Sequence, residues 1–258
     1  MPRATVDDVE LHYETAGSGP RLVYLSGTGG DLRARPNVLE GPLPEHFEVL
    51  AYDQRGMGQS SVPPGPYTMS RYADDAAGIM DALGWDVAAV VGVSFGGMVA
   101  QELALRHPAR IRRMVLACTS SGGEGGSSYP LHELVDLADE ERLARTVELL
   151  DTREEVRPAL LDVYRARGAV GAGELGRREG ARLQIDARRR HDTWGRLGAV
   201  DCPTLVCGGR FDGIAPPGNV QRLAGAIPHA LLALFEGGHT FLFQDPAALP
   251  AVIDFLES

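Results

Sequence analysis

The length, composition and charge of the chain limit what it can do. Its 258 residues are 44% hydrophobic and 23% charged, which predicts a soluble globular domain with a modest insertion and excludes a disordered chain. The formal net charge of −10 argues against nucleic acid or an anionic membrane surface as a partner, because both attract basic proteins. All 25 basic residues are arginine, so a lysine Schiff base is excluded.

Cysteine usage and the N-terminus indicate the compartment. Cys118, Cys202 and Cys207 lack the number and spacing of a disulfide framework or a zinc site. Residues 1–8 lack the apolar run of a signal peptide, and no apolar stretch approaches the ~20 residues needed to span a bilayer. We therefore expect a cytoplasmic protein with no membrane partner. The sequence does not indicate an oligomeric state.

Apolar runs alternate with helical patterns along most of the chain. The predicted strands are residues 5–6, 9–13, 21–25, 47–52, 88–91, 111–117, 204–207 and 230–235. The predicted helices of the core are residues 69–83, capped by Thr68 or Ser70, a helix ending near 105, one after Pro217, and one from about 246 to the end. This alternation predicts an α/β fold with a mostly parallel, doubly wound sheet and an antiparallel start.

Residues 119–198 interrupt the alternation. They open with a glycine- and serine-rich stretch at 120–128 and continue with charged helical patterns such as 134–150 and 154–165. We interpret them as a helical cap, or lid, inserted between the core segments 1–118 and 199–258. A surface helical excursion without a part in binding is the alternative.

The pattern Gly92-Val93-Ser94-Phe95-Gly96 indicates a nucleophile. A serine hydroxyl is a poor nucleophile unless it is exposed beside a base, with backbone donors ready for the oxyanion. In G-x-S-x-G the outer glycines let a strand and a helix cross closely, while the serine occupies a strained turn that exposes its Oγ. Since an apolar strand precedes the pattern and a helix follows it, we predict Ser94 as the nucleophile. An ordinary glycine-rich turn is the alternative.

Several segments beyond this pattern resemble the α/β-hydrolase superfamily, in particular its esterase, lactonase and non-haem haloperoxidase-like branch. Residues 53–60 are similar to the D-x-R-G-x-G-x-S loop of that branch, 209–212 to its acid turn, and 237–239 to its histidine loop. The resemblance covers almost the whole chain. It implies the α/β-hydrolase fold and a triad in the order Ser94, Asp212, His239.

Asp212 and His239 also fit these roles chemically. A carboxylate just past a buried strand can orient an imidazole and stabilise the imidazolium formed during acyl transfer. Of the seven histidines, only His239 lies in a glycine-rich loop at the end of a predicted core strand. The alternatives are a turn-capping aspartate and a polar loop histidine. His191, within the insertion, is a candidate for lining the lid side of the pocket, with a solvated charged face as the alternative.

The resemblance implies an oxyanion hole made of two backbone N–H groups. One belongs to Phe95, which follows the nucleophile, and the other to the loop after the third strand. Thr28 is the candidate for the second donor, with Gly29 as the alternative. Relatives usually carry His-Gly where this chain has Ser26-Gly27, so the loop departs from the family pattern in identity but not in placement.

Together these residues predict a serine hydrolase that cleaves a small-molecule carboxylic ester or lactone through an acyl-enzyme, with no cofactor or metal. Residues 25–30 and the arginine-rich stretch before Trp194 are similar to the 3-oxoadipate enol-lactonases. Serine as nucleophile disfavours the haloalkane dehalogenase and epoxide hydrolase branches, which use aspartate. Carbon–carbon bond hydrolysis, thioester hydrolysis and perhydrolysis by the same triad remain alternatives, as does a non-catalytic receptor on this fold.

Overall fold

The computed structural model of the chain describes residues 2–258. Its strands form a single eight-stranded sheet. They are β1 (Arg3–Val6), β2 (Val9–Ala16), β3 (Arg21–Leu25), β4 (Glu48–Tyr52), β5 (Ala88–Val93), β6 (Ile111–Ala117), β7 (Thr204–Gly209) and β8 (Leu231–Phe235). The strand order is β1-β2-β4-β3-β5-β6-β7-β8.

Strand direction follows the sequence pattern. The hairpin of β1 and β2 is antiparallel, and β2 joins β4 antiparallel. Every other neighbouring pair, from β4 across to β8, is parallel. The predicted mostly parallel sheet with an antiparallel start is therefore confirmed.

Nine α-helices accompany the sheet within residues 2–258. They are α1 (Leu43–His46), α2 (Met69–Ala82), α3 (Phe95–Arg106), α4 (Asp139–Leu150), α5 (Arg157–Ala169), α6 (Arg177–Arg189), α7 (Pro217–Ala226), α8 (Phe241–Gln244) and α9 (Ala248–Glu257). Of the two predicted caps of α2, Thr68 is the one that forms, since its side chain accepts the N–H of Arg71 at 3.1 Å.

The core lies on both faces of the sheet because side chains alternate along each strand. In β5, Ala88 and Val90 belong to the hydrophobic cluster beneath α2, α3 and α7. The alternate residues Ala89 and Val91 belong to the opposite cluster, beneath α1, α8 and α9. This is why β5 is an uninterrupted apolar run and why the sheet is doubly wound.

Some helix bounds differ from the prediction. The helix predicted from residue 134 begins at Asp139, where acidic side chains occupy the first turn and favour the helix N-terminus. The helix predicted from 154 begins at Arg157, with Pro158 in its first turn. The short helices α1 and α8 have too few residues to produce a periodic pattern and were not predicted.

Helices α4, α5 and α6 lie between β6 and β7, within the predicted insertion. Its two connections to the core run side by side, since the N–H of Thr193 donates to the carbonyl of Ser121 at 2.9 Å. Gln101 of α3 binds both connections, accepting from Thr193 Oγ1 at 2.6 Å and donating to the carbonyl of Ser120 at 3.2 Å. The bounds 119–198 and the role as a lid stay predictions.

No helix within residues 2–258 has both the length and the apolar character to cross a bilayer.

A buried ion pair ties the D-x-R-G loop after β4 to α2. Arg55 is 1% exposed, and its Nε donates to Asp75 Oδ2 at 2.6 Å. A second guanidinium nitrogen binds the other carboxylate oxygen of Asp75 and, at 3.3 Å, Asp8. The pair holds the loop in place because separating a buried guanidinium from its carboxylate would leave an uncompensated buried charge.

We expect Asp75→Asn to lower the free energy of unfolding by about 3 kcal/mol or more, because it leaves a buried charge without its main partner. Asp74→Asn is the matched control: that side chain is 42% exposed and pairs with Arg106 at the surface, so its loss costs less than about 1 kcal/mol. Urea unfolding of both variants measures the difference. Equal effects would contradict the structural role of the buried pair.

Candidate active site

Ser94 occupies a strained turn between β5 and α3. Its backbone has φ 56° and ψ −113°, a combination that non-glycine residues rarely adopt. The turn is fixed by the neighbouring strand, since the N–H of Ser94 donates to the carbonyl of Ala117, the last residue of β6, at 2.8 Å. Thr119 Oγ1 in turn donates to the carbonyl of Ser94 at 2.8 Å. The backbone of Ser94 is therefore fixed by the end of β6 and the residues just after it.

Two glycines make this turn possible. A Cβ on Gly96 would lie 2.0 Å from the carbonyl oxygen of Leu25, so α3 begins against the end of β3. A Cβ on Gly92 would lie 2.5 Å from the carbonyl oxygen of Gly96, so the strand and the helix also cross closely. Only glycine fits at either position without displacing backbone.

The structure brings Ser94, His239 and Asp212 together, although they are far apart in the sequence. His239 Nε2 lies 2.8 Å from Ser94 Oγ, and His239 Nδ1 lies 2.7 Å from Asp212 Oδ2. The other carboxylate oxygen of Asp212 accepts the N–H groups of Ile214 and Ala215, each at 2.8 Å. With Nδ1–H donated to Asp212, the Nε2 lone pair faces the serine hydroxyl and can accept its proton.

The insertion holds the histidine loop. The N–H of His239 donates to the carbonyl of Leu150, the last residue of α4, at 2.6 Å. A Cβ on Gly238 would lie 2.0 Å from the same carbonyl oxygen, so this close approach requires glycine. Gln244 fixes the loop from the other side, accepting the N–H of Gly238 at 2.8 Å and donating to Asp151 at 2.9 Å.

The loop after β3 lies beside Ser94. A Cβ on Gly27 would lie 3.5 Å from the Cβ of Ser94. Gln54 donates to the carbonyl of Ser26 at 2.7 Å, and the N–H of Gly29 donates to Gln184 Oε1 at 2.8 Å.

The two predicted oxyanion donors remain available. Within residues 2–258, neither the N–H of Thr28 nor that of Phe95 donates a hydrogen bond. The N–H of Gly29, the alternative donor, is occupied by Gln184. The hydroxyl of Thr28 is buried and also has no partner. This arrangement favours Thr28 over Gly29 as the second donor.

Cys118 lies behind the histidine. Its Sγ, the carboxylate of Asp212 and the ring of His239 offer three possible metal-ligand atoms within 4.8 Å of one another. Burial raises the pKa of the Cys118 thiol well above its usual range, so it stays protonated, whereas metals bind the thiolate. Asp212 and His239 are already hydrogen-bonded to each other, and these three side chains therefore do not fit a metal site.

His191 is buried near the point where the insertion rejoins the core. It lines a polar crevice of about 220 Å³ together with Glu102 and Arg196, and none of the three catalytic candidates borders that crevice. Burial lowers the pKa of His191 to about 4, so the ring is neutral at neutral pH. The structure thus places His191 at this separate crevice.

Several residues that support the site were not singled out from the sequence. They are Gln54, Thr119, Leu150, Gln184 and Gln244. Gln54 lies inside the D-x-R-G-x-G-x-S motif, but at a position that the motif leaves variable, so the match does not single it out. The others act through main-chain or amide contacts between distant segments, which leave no local pattern.

Comparisons with known proteins identify the family of this chain and several of its relatives. The sequence profile of the family described as alpha/beta hydrolase fold matches residues 20–246. The putative carbamate hydrolase RutD of Caulobacter vibrioides is 32% identical over 100% of this chain and 99% of its own length. The 3-oxoadipate enol-lactonase 2 of Acinetobacter baylyi is 26% identical over 97% of this chain and 94% of its own. The enol-lactonase structure from Burkholderia xenovorans LB400 superposes with a TM-score of 0.86 at 27% identity, covering 100% of both chains.

Thr28 allows backbone and side chain to be tested separately. If its N–H holds the oxyanion, Thr28→Ala keeps most of the activity, whereas Thr28→Pro deletes the donor and lowers turnover by about 10²–10³. Ester hydrolysis is measured for both variants, with circular dichroism and labelling of Ser94 by a small probe as checks on the loop. A folded proline variant with parental turnover would exclude the donor, and a severe loss in Thr28→Ala would assign the hydroxyl instead.

Proposed function

We propose, for a chain that belongs to the α/β-hydrolase family and to its ester- and lactone-cleaving branch, that hydrolysis proceeds through an acyl-enzyme on Ser94. The observation that carries this proposal is the continuous hydrogen-bond chain from Ser94 Oγ through His239 to Asp212, at 2.8 and 2.7 Å. These are the contacts that a nucleophile, a base and an orienting carboxylate require.

In the proposed mechanism, His239 removes the proton from Ser94 as Oγ attacks the carbonyl carbon of the ester. Asp212, fully buried and held by two backbone N–H groups, keeps the ring oriented and stabilises the imidazolium. His239 then protonates the leaving oxygen. In the second half-reaction, water attacks the acyl-enzyme, with His239 again as the base, and Ser94 is restored.

The reaction also requires hydrogen-bond donors that stabilise the negative charge formed on the carbonyl oxygen. The N–H groups of Thr28 and Phe95 supply the proposed oxyanion hole. Both are free within residues 2–258; Phe95 follows Ser94 directly, and Thr28 follows Gly27, which lies beside Ser94. The N–H of Phe95 is the first of α3, so the positive end of the helix dipole adds to the effect. Removing one such donor typically costs about 3–4 kcal/mol of transition-state stabilisation.

The proposed substrate is a small-molecule ester or lactone. The similar proteins carry names of a lactonase and a carbamate hydrolase, and both reactions begin with attack on a carbonyl carbon that bears a heteroatom leaving group. The acidic net charge of −10 supports a small molecule, without nucleic acid or membrane as partner, and the cytoplasm is the proposed compartment. A non-catalytic receptor is less well supported, since it has no need of a strained serine beside a base.

We expect Ser94→Ala to abolish nearly all hydrolysis of a short p-nitrophenyl ester while the fold is retained. Within residues 2–258 the hydroxyl is hydrogen-bonded to His239 alone, and this contact belongs to the site and not to the hydrophobic core, so circular dichroism should be unchanged. A fluorophosphonate probe should label the parent at Ser94 alone. Labelling at another residue, or full activity of the alanine variant, would refute the nucleophile assignment.

Asp212→Asn tests the orienting carboxylate. The amide keeps the shape of the site but favours the wrong tautomer of His239, so turnover should fall by about 10⁴. Asp254→Asn, at an exposed position on α9, is the matched control and should leave turnover unchanged. A loss of only a few-fold in Asp212→Asn would mean that another group orients the histidine.

A further inference from the structure

Arg188, on α6 of the insertion, is a buried cation without a carboxylate partner. The residue is 7% exposed, and its Nη1 donates to the carbonyl of Tyr129 at 2.9 Å. Its Nε and Nη2 are enclosed and have no acceptor within residues 2–258. Within the same residues it forms no ion pair.

Arg55 shows how this chain otherwise buries a guanidinium. It is 1% exposed, and it pairs with Asp75 and Asp8. Burial without such a partner lowers the pKa of Arg188 to about 10, which still leaves the side chain charged at neutral pH. A buried charge with two unpaired donor nitrogens lowers the stability of the fold, and a ligand that supplies the missing acceptors would remove this cost.

Contacts of α6 and of Tyr129 connect Arg188 with the loops on both sides of the candidate active site. Gln184, one turn earlier on the same face of the helix, accepts the N–H of Gly29 in the loop after β3. On the other side, Tyr129 binds Arg188 through its carbonyl and donates its N–H to the carbonyl of Ile214 at 2.7 Å. Ile214 donates to Asp212 after β7. In the sheet β5, which ends at the nucleophile, lies between β3 and β7, so this face of α6 spans the site.

Gln184 adds a further unused donor. Its Oε1 must face the N–H of Gly29, because an amide NH₂ there would oppose another donor. Its Nε2 is thereby fixed on the other side, where it is buried and has no acceptor. Arg188 and Gln184 together present three nitrogen atoms with unpaired N–H groups from one face of α6.

We propose that Arg188, assisted by Gln184 Nε2, binds a carboxylate that the substrate carries apart from its scissile carbonyl group. A carboxylate accepts two parallel bonds from a guanidinium edge and compensates its charge, which a neutral ester cannot do. This inference rests on the proposed function and narrows its substrates to half-esters of dicarboxylic acids and lactones with a carboxylate substituent. The donors are closed off from solvent, so water does not compete with the carboxylate for them.

The test compares monomethyl with dimethyl esters of succinic, glutaric and adipic acid, which differ only in the charge at the far end. The parent should prefer the monoester of at least one chain length. Arg188→Met should lower kcat/KM for that monoester by about 10- to 100-fold, mainly through KM, and leave the dimethyl ester within about twofold. Arg188→Lys keeps the charge without the fork and should restore part of the loss.

Arg189→Met is the matched control, since Arg189 neighbours Arg188 on α6 and is exposed. It should leave the preference unchanged. Equal losses on both esters in Arg188→Met and Arg188→Lys would assign Arg188 a purely structural role and overturn the proposal. A parent that hydrolyses neutral esters and shows no preference for any monoester would also overturn it, with the proposed function intact.

Binding separates the two proposals fully. Calorimetry of the preferred monoester with Ser94→Ala, and with Ser94→Ala carrying Arg188→Met, reports on the carboxylate site without turnover. We expect the second variant to bind about 10- to 100-fold more weakly. If fluorophosphonate fails to label Ser94 and no ester is cleaved, the proposed function fails. The carboxylate site is then tested by calorimetry alone, with the same monomethyl and dimethyl esters. Binding of every half-ester that is independent of Arg188 would overturn the carboxylate site.

Discussion

The site depends on one close contact, in which the first turn of α3 lies against the end of β3. Gly96 has no room for a Cβ beside the carbonyl of Leu25, and this approach places Ser94 in a turn that non-glycine residues avoid. Such a backbone costs on the order of 1–3 kcal/mol, which the surrounding hydrogen bonds must offset. Gly27 lies beside Ser94, so the loop with the proposed oxyanion donor Thr28 is close to the proposed nucleophile.

The sheet order then assembles the remaining groups. Parallel strands place their carboxyl ends at one edge, where ligands of open α/β sheets bind. The loops after β3, β5, β7 and β8 carry Thr28, Ser94, Asp212 and His239 respectively. The insertion leaves the sheet after β6 at the same edge. It contacts three of these loops directly, through Gln184 after β3, Tyr129 after β7 and Leu150 after β8. Its helices are therefore part of the site's framework, whether or not they also move.

The positions of Ser94, Asp212 and His239 after their strands were predictable, because each follows an apolar strand that the sequence reveals locally. Ser94 lies in a turn whose glycines are required by packing, and His239 follows Gly238 for the same reason. The contact of Gly29 with Gln184 joins residues 155 positions apart and has no sequence signature, so the choice between Thr28 and Gly29 needed the structure. The buried, unpaired guanidinium of Arg188 could not be predicted from the sequence either, because an arginine-rich helix is normally expected to expose its charged side chains to solvent.

Covalent capture tests the central claim, that Ser94 carries the acyl group, most directly. A slowly hydrolysed aryl ester is mixed with the protein, the reaction is quenched in acid during turnover, and the intact protein and its peptides are weighed by mass spectrometry. The account predicts one acyl group per chain, located on the peptide that contains Ser94 and absent from Ser94→Ala. Turnover without an adduct on Ser94, or with an adduct on another residue, would contradict it.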